Sequence, residues 1–171
     1  MTTNWENKDY AFYIQPLQNI GMQKLAALLL VLALVAIVSC TIPARGWNDN
    51  IDWYGYEEGI AKAKETGKDV VIVLHKTWCG ACKRLKPDFA ANKELEELAK
   101  NFIMINAEDD EAPHNNQLYQ KDGGYIPRIY FTNSNGEPYY EYTSDVPNYK
   151  YFFSTSAAIA KTMKQFLSRG N

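Results

Sequence analysis

Histidine and cysteine are scarce here: two of the first and three of the second in 171 residues. So few cysteines exclude a disulfide-dense scaffold. A structural zinc centre, which takes about four thiolate or imidazole ligands, would consume nearly the whole supply. An excess of one charge is missing too. Eighteen basic residues stand against twenty acidic ones, a net charge of -2, so there is no basic field to attract a phosphate backbone and nucleic-acid binding is not expected. No internal repeat and no low-complexity tract occurs, which removes solenoids and linker-like chains. What remains is 46% hydrophobic and 22% charged, the composition of a globular protein at a length suited to one domain.

One apolar run stands apart. LAALLLVLALVAIV, Leu25 to Val38, follows Gln23-Lys24 and precedes the small residues Ser39 and Cys40. A basic flank, an apolar core and a small-residue end describe a secretory signal peptide, with Met22 available as an alternative start to Met1. An uncleaved anchor is a second reading, because Leu25 to Ile42 approaches the ~20 residues that span a bilayer. A third takes Ile37-Val38-Ser39-Cys40 for a bacterial lipobox with Cys40 lipidated. Each sends the following residues across a membrane, and the membrane is itself a partner only if 25–42 are retained. The domain organisation expected is therefore an N-terminal extension and linker, 1–46, followed by one domain, 47–171.

Within that domain the spacing predicts a helix over Ile51 to Gly67, with Gly67 as its stop. DVVIVLH, Asp69 to His75, is a continuous β-branched run, the pattern of a strand buried on both faces. Cys79 to Lys100 reads as one helix with apolar positions Leu85, Phe89, Leu95 and Leu98, kinked at Pro87. Phe102 to Asn106 is a second buried strand, parallel to the first. Two aromatic-rich runs about Ser134-Asn135-Gly136 predict an antiparallel hairpin. Ser154 or Ser156 then caps a last helix carrying Ile159, Met163, Phe166 and Leu167, with Gly170 beyond its end. The fold class is α/β, a central mixed sheet flanked by helices.

The stretch HKTWCGACKRLKP, His75 to Pro87, carries the chemistry. Strand, turn and Cys-x-x-Cys place Cys79 at a helix N-terminus, where unpaired backbone N–H groups and the positive end of the dipole favour a thiolate. Lys76 and Lys83 add positive charge. Such surroundings lower a thiol below its usual ~8.5. Cys82, one turn further in, is shielded, and that asymmetry suits dithiol exchange: one sulfur attacks, the other resolves the mixed disulfide. Trp78 offers apolar surface to a substrate chain. The rivals are weaker. The pair supplies half of a zinc tetrahedron, and a staple within one helical turn would constrain almost no chain entropy. No metal and no bound cofactor is called for. Glu108 to Glu111 reads as a solvated acidic loop, Tyr139, Tyr140 and Tyr142 as hairpin packing, and His75 as a polar residue closing its strand rather than a general base. Ile126-Pro127 opens the strand that follows, an unusual place for a residue without an N–H.

WCGACK with Pro87 in its helix, followed by YIPRI, resembles the thioredoxin superfamily. The wider set HKTWCGACKRLKP, INAEDDEAP, DGGYIPRIYF and NYKYFF is similar to its small endoplasmic-reticulum members, the anterior-gradient group. The resemblance covers about Trp47 to Lys164. It implies a thioredoxin fold and a thiol–disulfide oxidoreductase acting on cysteine-containing client proteins of the secretory pathway, with glutathione as a recycling thiol. It implies Cys79 as nucleophile, Cys82 as resolving thiol, Pro127 as a cis-proline packed against them, Ile126 as backbone for a bound client, and Gly80-Ala81 as the spacer that sets redox poise beside Lys76. Two departures stand out: the buried acid of many relatives falls at Val73, and the spacer holds no proline. No KDEL-type ending follows Ser168, so the expected location is the endoplasmic-reticulum lumen or outside the cell, or a membrane if the apolar run is kept. A second function class is a redox-poor, chaperone-like binding module; the retained Cys82 favours the enzyme.

Overall fold

The computed structural model describes residues 41–170; the apolar run Leu25 to Val38 and Cys40 lie outside the described residues. Four strands, β1 (Trp53–Tyr54), β2 (Val70–His75), β3 (Ile103–Glu108) and β4 (Arg128–Thr132), form one sheet in the order β1-β3-β2-β4. β1 and β2 run parallel to β3, and β4 runs antiparallel to β2. Helix α1 (Tyr56–Thr66) covers one face; α2 (Gly80–Ala91), α3 (Lys93–Ala99) and α4 (Ser156–Ser168) cover the other.

Every residue of β2 is buried, as a strand sandwiched between two helical layers must be. Its side chains alternate: Val71 and Val73 enter the core under α2 to α4, while Val70, Ile72 and Leu74 enter the core under α1. The second core closes tightly because α1 carries Gly59, where a Cβ would come within 2.5 Å of Ile105 Cγ1. α1 stops at Gly67, whose φ of 68° is left-handed, a conformation glycine adopts without steric cost.

Five expectations are corrected by the structure. The first helix begins at Tyr56 rather than Ile51. Ile51 and Trp53 turn into one core and Tyr54 into the other, a period of two, so Trp53 and Tyr54 pair with Met104 and Ile105 as an edge strand. The long helix breaks at Asn92 rather than bending at Pro87. Asn92 is extended, and its Oδ1 accepts from Leu95 N at 3.0 Å, so it caps α3. The hairpin forms its turn but little of its return strand. Gly136 has φ 83° and Asn133 Oδ1 accepts from the backbone of Asn135 and Glu137. Pairing is confined to a Thr132–Pro138 bridge, flanked by Asn133 N on Glu137 O at 3.0 Å and Tyr139 N on Phe131 O at 2.9 Å. Tyr139 and Tyr142 then pack on Phe166, at 5.4 and 4.7 Å between ring centroids. The last helix is capped by Thr155, whose Oγ1 accepts from Ala158 N, not by Ser154 or Ser156. Leu167 sits on its exposed side, while Ile159, Met163 and Phe166 are buried. Finally, β3 runs to Glu108, two residues further than expected.

The segment expected as a linker is part of this fold. Ile42 N donates to Trp53 O at 2.8 Å and Ala44 is buried. Among the described residues, no helix is long and apolar enough to cross a membrane.

Candidate functional site

β2 delivers the chain to the site and α2 receives it. After His75 a short turn, closed by Cys79 N donating to Lys76 O at 3.2 Å, brings Cys79 to the N-cap of α2. Its backbone is extended, and its sulfur does what a capping oxygen would do: Sγ accepts from Cys82 N at 3.0 Å. An N–H aimed at this sulfur is worth most when the sulfur is an anion. Cys79 and Cys82 are joined as a disulfide, Cα to Cα 5.3 Å. Cys82 is fully buried and Cys79 retains 5% exposure, so among the described residues solvent meets the pair at Cys79.

The second wall comes from 47 residues further along the chain. The Ile126-Pro127 bond is cis, Pro127 is buried, and the Ile126 carbonyl oxygen lies 3.6 Å from Cys79 Sγ. The structure thus brings Cys79, Cys82, Ile126 and Pro127 together. Trp78 stands beside them at 72% exposure, an apolar surface open to a partner. Gly80 is exposed and a Cβ there would meet only Arg84 Nη1; Ala81 is half-buried.

Lys76, expected to bring positive charge to Cys79, has its ammonium on the Asp109 carbonyl and, at 2.8 Å, on Asp110 Oδ1, so it also anchors a loop. The acidic run Glu108 to Glu111 is likewise more than a solvated loop. Asp109 Oδ1 accepts from Thr77 N at 2.8 Å and both its oxygens accept from Thr77 Oγ1. That bond to the Thr77 backbone holds the Asp109 carboxyl below its usual range. Glu111 takes the Arg45 guanidinium through both oxygens, at 2.5 and 2.7 Å. The loop therefore braces the turn that presents Cys79.

Sequence reasoning missed a polar cluster behind the pair. His75 is fully buried and continues the Val71–Val73 side of β2. Its Nε2 lies 2.5 Å from Asn106 Oδ1, and Asn106 Nδ2 donates to Ala44 O at 3.0 Å. Asn106 Oδ1 can only accept, so Nε2 carries the hydrogen and Nδ1 is a bare lone pair. Burial pushes His75 down to about 4, against the smaller raising effect of Asn106. Among the described residues Nδ1 finds no hydrogen-bond partner, and it faces Glu108 Oε1 at 3.6 Å. Glu108 also meets Lys86 at 3.5 Å and Arg45 at 3.7 Å. Among the described residues no cluster has the make-up of a metal site.

Comparison with known proteins agrees with this geometry. A family described as thioredoxin-like matches residues 52–134. Anterior gradient protein 3 of Mus musculus is 40% identical over 90 residues, 52% of this chain and 53% of that protein. The human anterior gradient protein 2 homolog is 32% identical over 127 residues, covering 72% and 71% of the two chains. The chain spans about half the length of several of these relatives and over two thirds of the human one. Two solved structures share the fold: a thioredoxin from Thermus thermophilus, TM-score 0.50 and 18% identity over 71% of this chain and 91% of that one, and a DsbH oxidoreductase, TM-score 0.51 and 16% identity over 72% and 88%.

Proposed function

The chain belongs to the thioredoxin-like family of the anterior gradient proteins, and from that premise we propose that it is a thiol–disulfide oxidoreductase acting on cysteines of client proteins. The observation that carries this reading is the Cys79–Cys82 disulfide at the start of α2, with the Cys82 N–H on Cys79 Sγ. In the dithiol form Cys79, as the thiolate stabilised by that N–H and by the helix terminus, attacks a client disulfide and expels one client sulfur. Cys82 then attacks Cys79 Sγ and expels the other. Run backward, the same steps oxidise a client dithiol. Ile126 offers its backbone at the sulfurs, where an extended client can bind as an added strand, and Trp78 supplies apolar contact. Recognition through backbone tolerates many client sequences. No cofactor is called for, and glutathione serves as the recycling thiol.

The anterior-gradient membership supports a place in the endoplasmic-reticulum lumen or outside the cell. A membrane-anchored or lipidated form is the alternative if residues 25–42 are retained. Changing Cys82→Ser should accumulate mixed disulfides between Cys79 and client proteins on non-reducing gels, and Cys79→Ser should accumulate almost none. Equal trapping by both would overturn the roles. No trapping by either, with the fold intact, would favour the chaperone-like reading.

A further inference from the structure

The proposed exchange leaves one proton unaccounted for. Cys82 is fully buried, so as a thiol it cannot pass its proton directly to water before it attacks. The usual internal acid position in β2 is taken by Val73, which is itself fully buried in the apolar core. Yet a carboxylate does stand on that side of the sheet. Met104 enters the core under α2 and Asn106 bonds His75 from the same side; Glu108 is next in this alternation, at the end of β3 opposite His75. Cys82 and Lys86 are one turn apart on α2, which puts their Cβ atoms about 5–6 Å apart, and Lys86 Nζ reaches Glu108 Oε1 at 3.5 Å. The Glu108 side chain keeps 22% exposure, so it joins this buried layer to solvent.

We propose that Glu108, backed by the bare Nδ1 of His75, accepts the Cys82 proton and returns it to water. The proposal rests on the oxidoreductase reading. Fixed by Asn106, His75 presents a lone pair to the carboxyl, so a protonated Glu108 can donate to Nδ1 at the place where a carboxylate and a lone pair now face each other. Lys86 of α2 and Arg45 of the N-terminal segment bring positive charge to Glu108; Asp109 and Glu111 of the loop bring negative charge close by, and His114 lies further along that loop. His75 itself stays neutral at physiological pH because burial holds it low, which keeps its lone pair free. In the reducing direction Cys82–SH gives its proton to Glu108 as its sulfur attacks Cys79 Sγ. The Cys79–client S–S bond breaks, its electron pair leaves on the client thiolate, and that thiolate takes a proton from solvent. Glu108 then loses its own proton to solvent, so the client gains two electrons and two protons and the Cys79–Cys82 disulfide forms.

The test uses the reduced full chain and the small disulfide dithionitrobenzoate. Attack by Cys79 releases the first thionitrobenzoate in a step that depends on reagent concentration. Attack by Cys82 releases the second in a step that does not. Glu108→Gln should slow the second step about tenfold or more at pH 6–7 and leave the first within about twofold. The gap should narrow as the pH rises, because hydroxide then competes with Glu108 for the proton. Glu108→Asp should restore most of the low-pH rate. An unchanged second step in Glu108→Gln, or one slowed alike at every pH, overturns the proposal. The unaltered protein decides as well: its second step must bend with pH below the thiol range, and a profile following only a thiol near ~8.5 overturns it. Absence of any second release from the unaltered chain would instead remove the oxidoreductase reading itself.

Discussion

His75 shows how a residue ordinary in sequence becomes singular by placement. Held down by burial, it resists protonation until about pH 4, while in the unfolded chain it protonates near its ordinary ~6.5. Between these values the unfolded state binds the extra proton, so stability must fall as pH drops from about 6.5 to 4 and level off below. The full difference amounts to about 3 kcal/mol. Urea unfolding across pH 7 to 4 should show that loss, and His75→Gln should flatten it. A nuclear magnetic resonance titration placing His75 at its ordinary value would contradict the burial argument. The sequence could not supply this: Asn106 and Glu108 lie 31 and 33 positions away, and nothing local to HKTWC marks the histidine as their partner. Cys79 and Cys82 were legible because their spacing and the helix they open are contiguous. Pro127 stood out because a proline at the mouth of a strand calls for a reason.

At the scale of elements, what was legible is what is settled within a few residues. The β-branched run of β2 and the left-handed stop at Gly67 needed no distant partner. The break at Asn92 and the abandoned return strand after Gly136 depend on where Ser156 and Phe166 come to lie: Asn92 Nδ2 donates to Ser156 Oγ at 3.0 Å, and the tyrosines close over α4. The turn before α2 is a further case, because its brace comes from the loop after β3. Asp109 has φ 52°, and its carboxylate receives Thr77 N and Oγ1. Asp109→Gly removes the acceptor without steric penalty and should cost about 1 kcal/mol. Asp109→Ala removes it too but keeps a Cβ on a left-handed residue, without the short polar side chain that makes that conformation tolerable, which leaves it about 1 kcal/mol below glycine. Both should speed amide exchange at Thr77, and thermal melts should rank alanine below glycine. The reverse order would mean that the loop relaxes out of its left-handed turn.

For the molecule as a whole, the folded unit starts before the first helix. Ile42 pairs with Trp53, Ala44 is buried, and Arg45 grips Glu111. A chain starting at Trp47 gives up all three. It should melt several degrees below one starting at Thr41, since a loss of about 1–2 kcal/mol moves the melting point of a domain this size by roughly 3–10 °C. Calorimetry on the two chains decides it, and equal melting points would mean that residues 42–46 rest on the surface without holding it.

The three tryptophans of the folded unit are unequal: Trp47 and Trp53 have no exposed surface, and Trp78 is 72% exposed next to Cys79. In optical terms this separates them. The two enclosed indoles should emit toward the blue and ignore aqueous quenchers, giving a steady internal reference. Trp78 should emit toward the red, yield to those quenchers and brighten when the neighbouring disulfide, an efficient electron-transfer quencher, is reduced. The chain thus carries its own fluorescent gauge of whether the sulfurs are joined or apart.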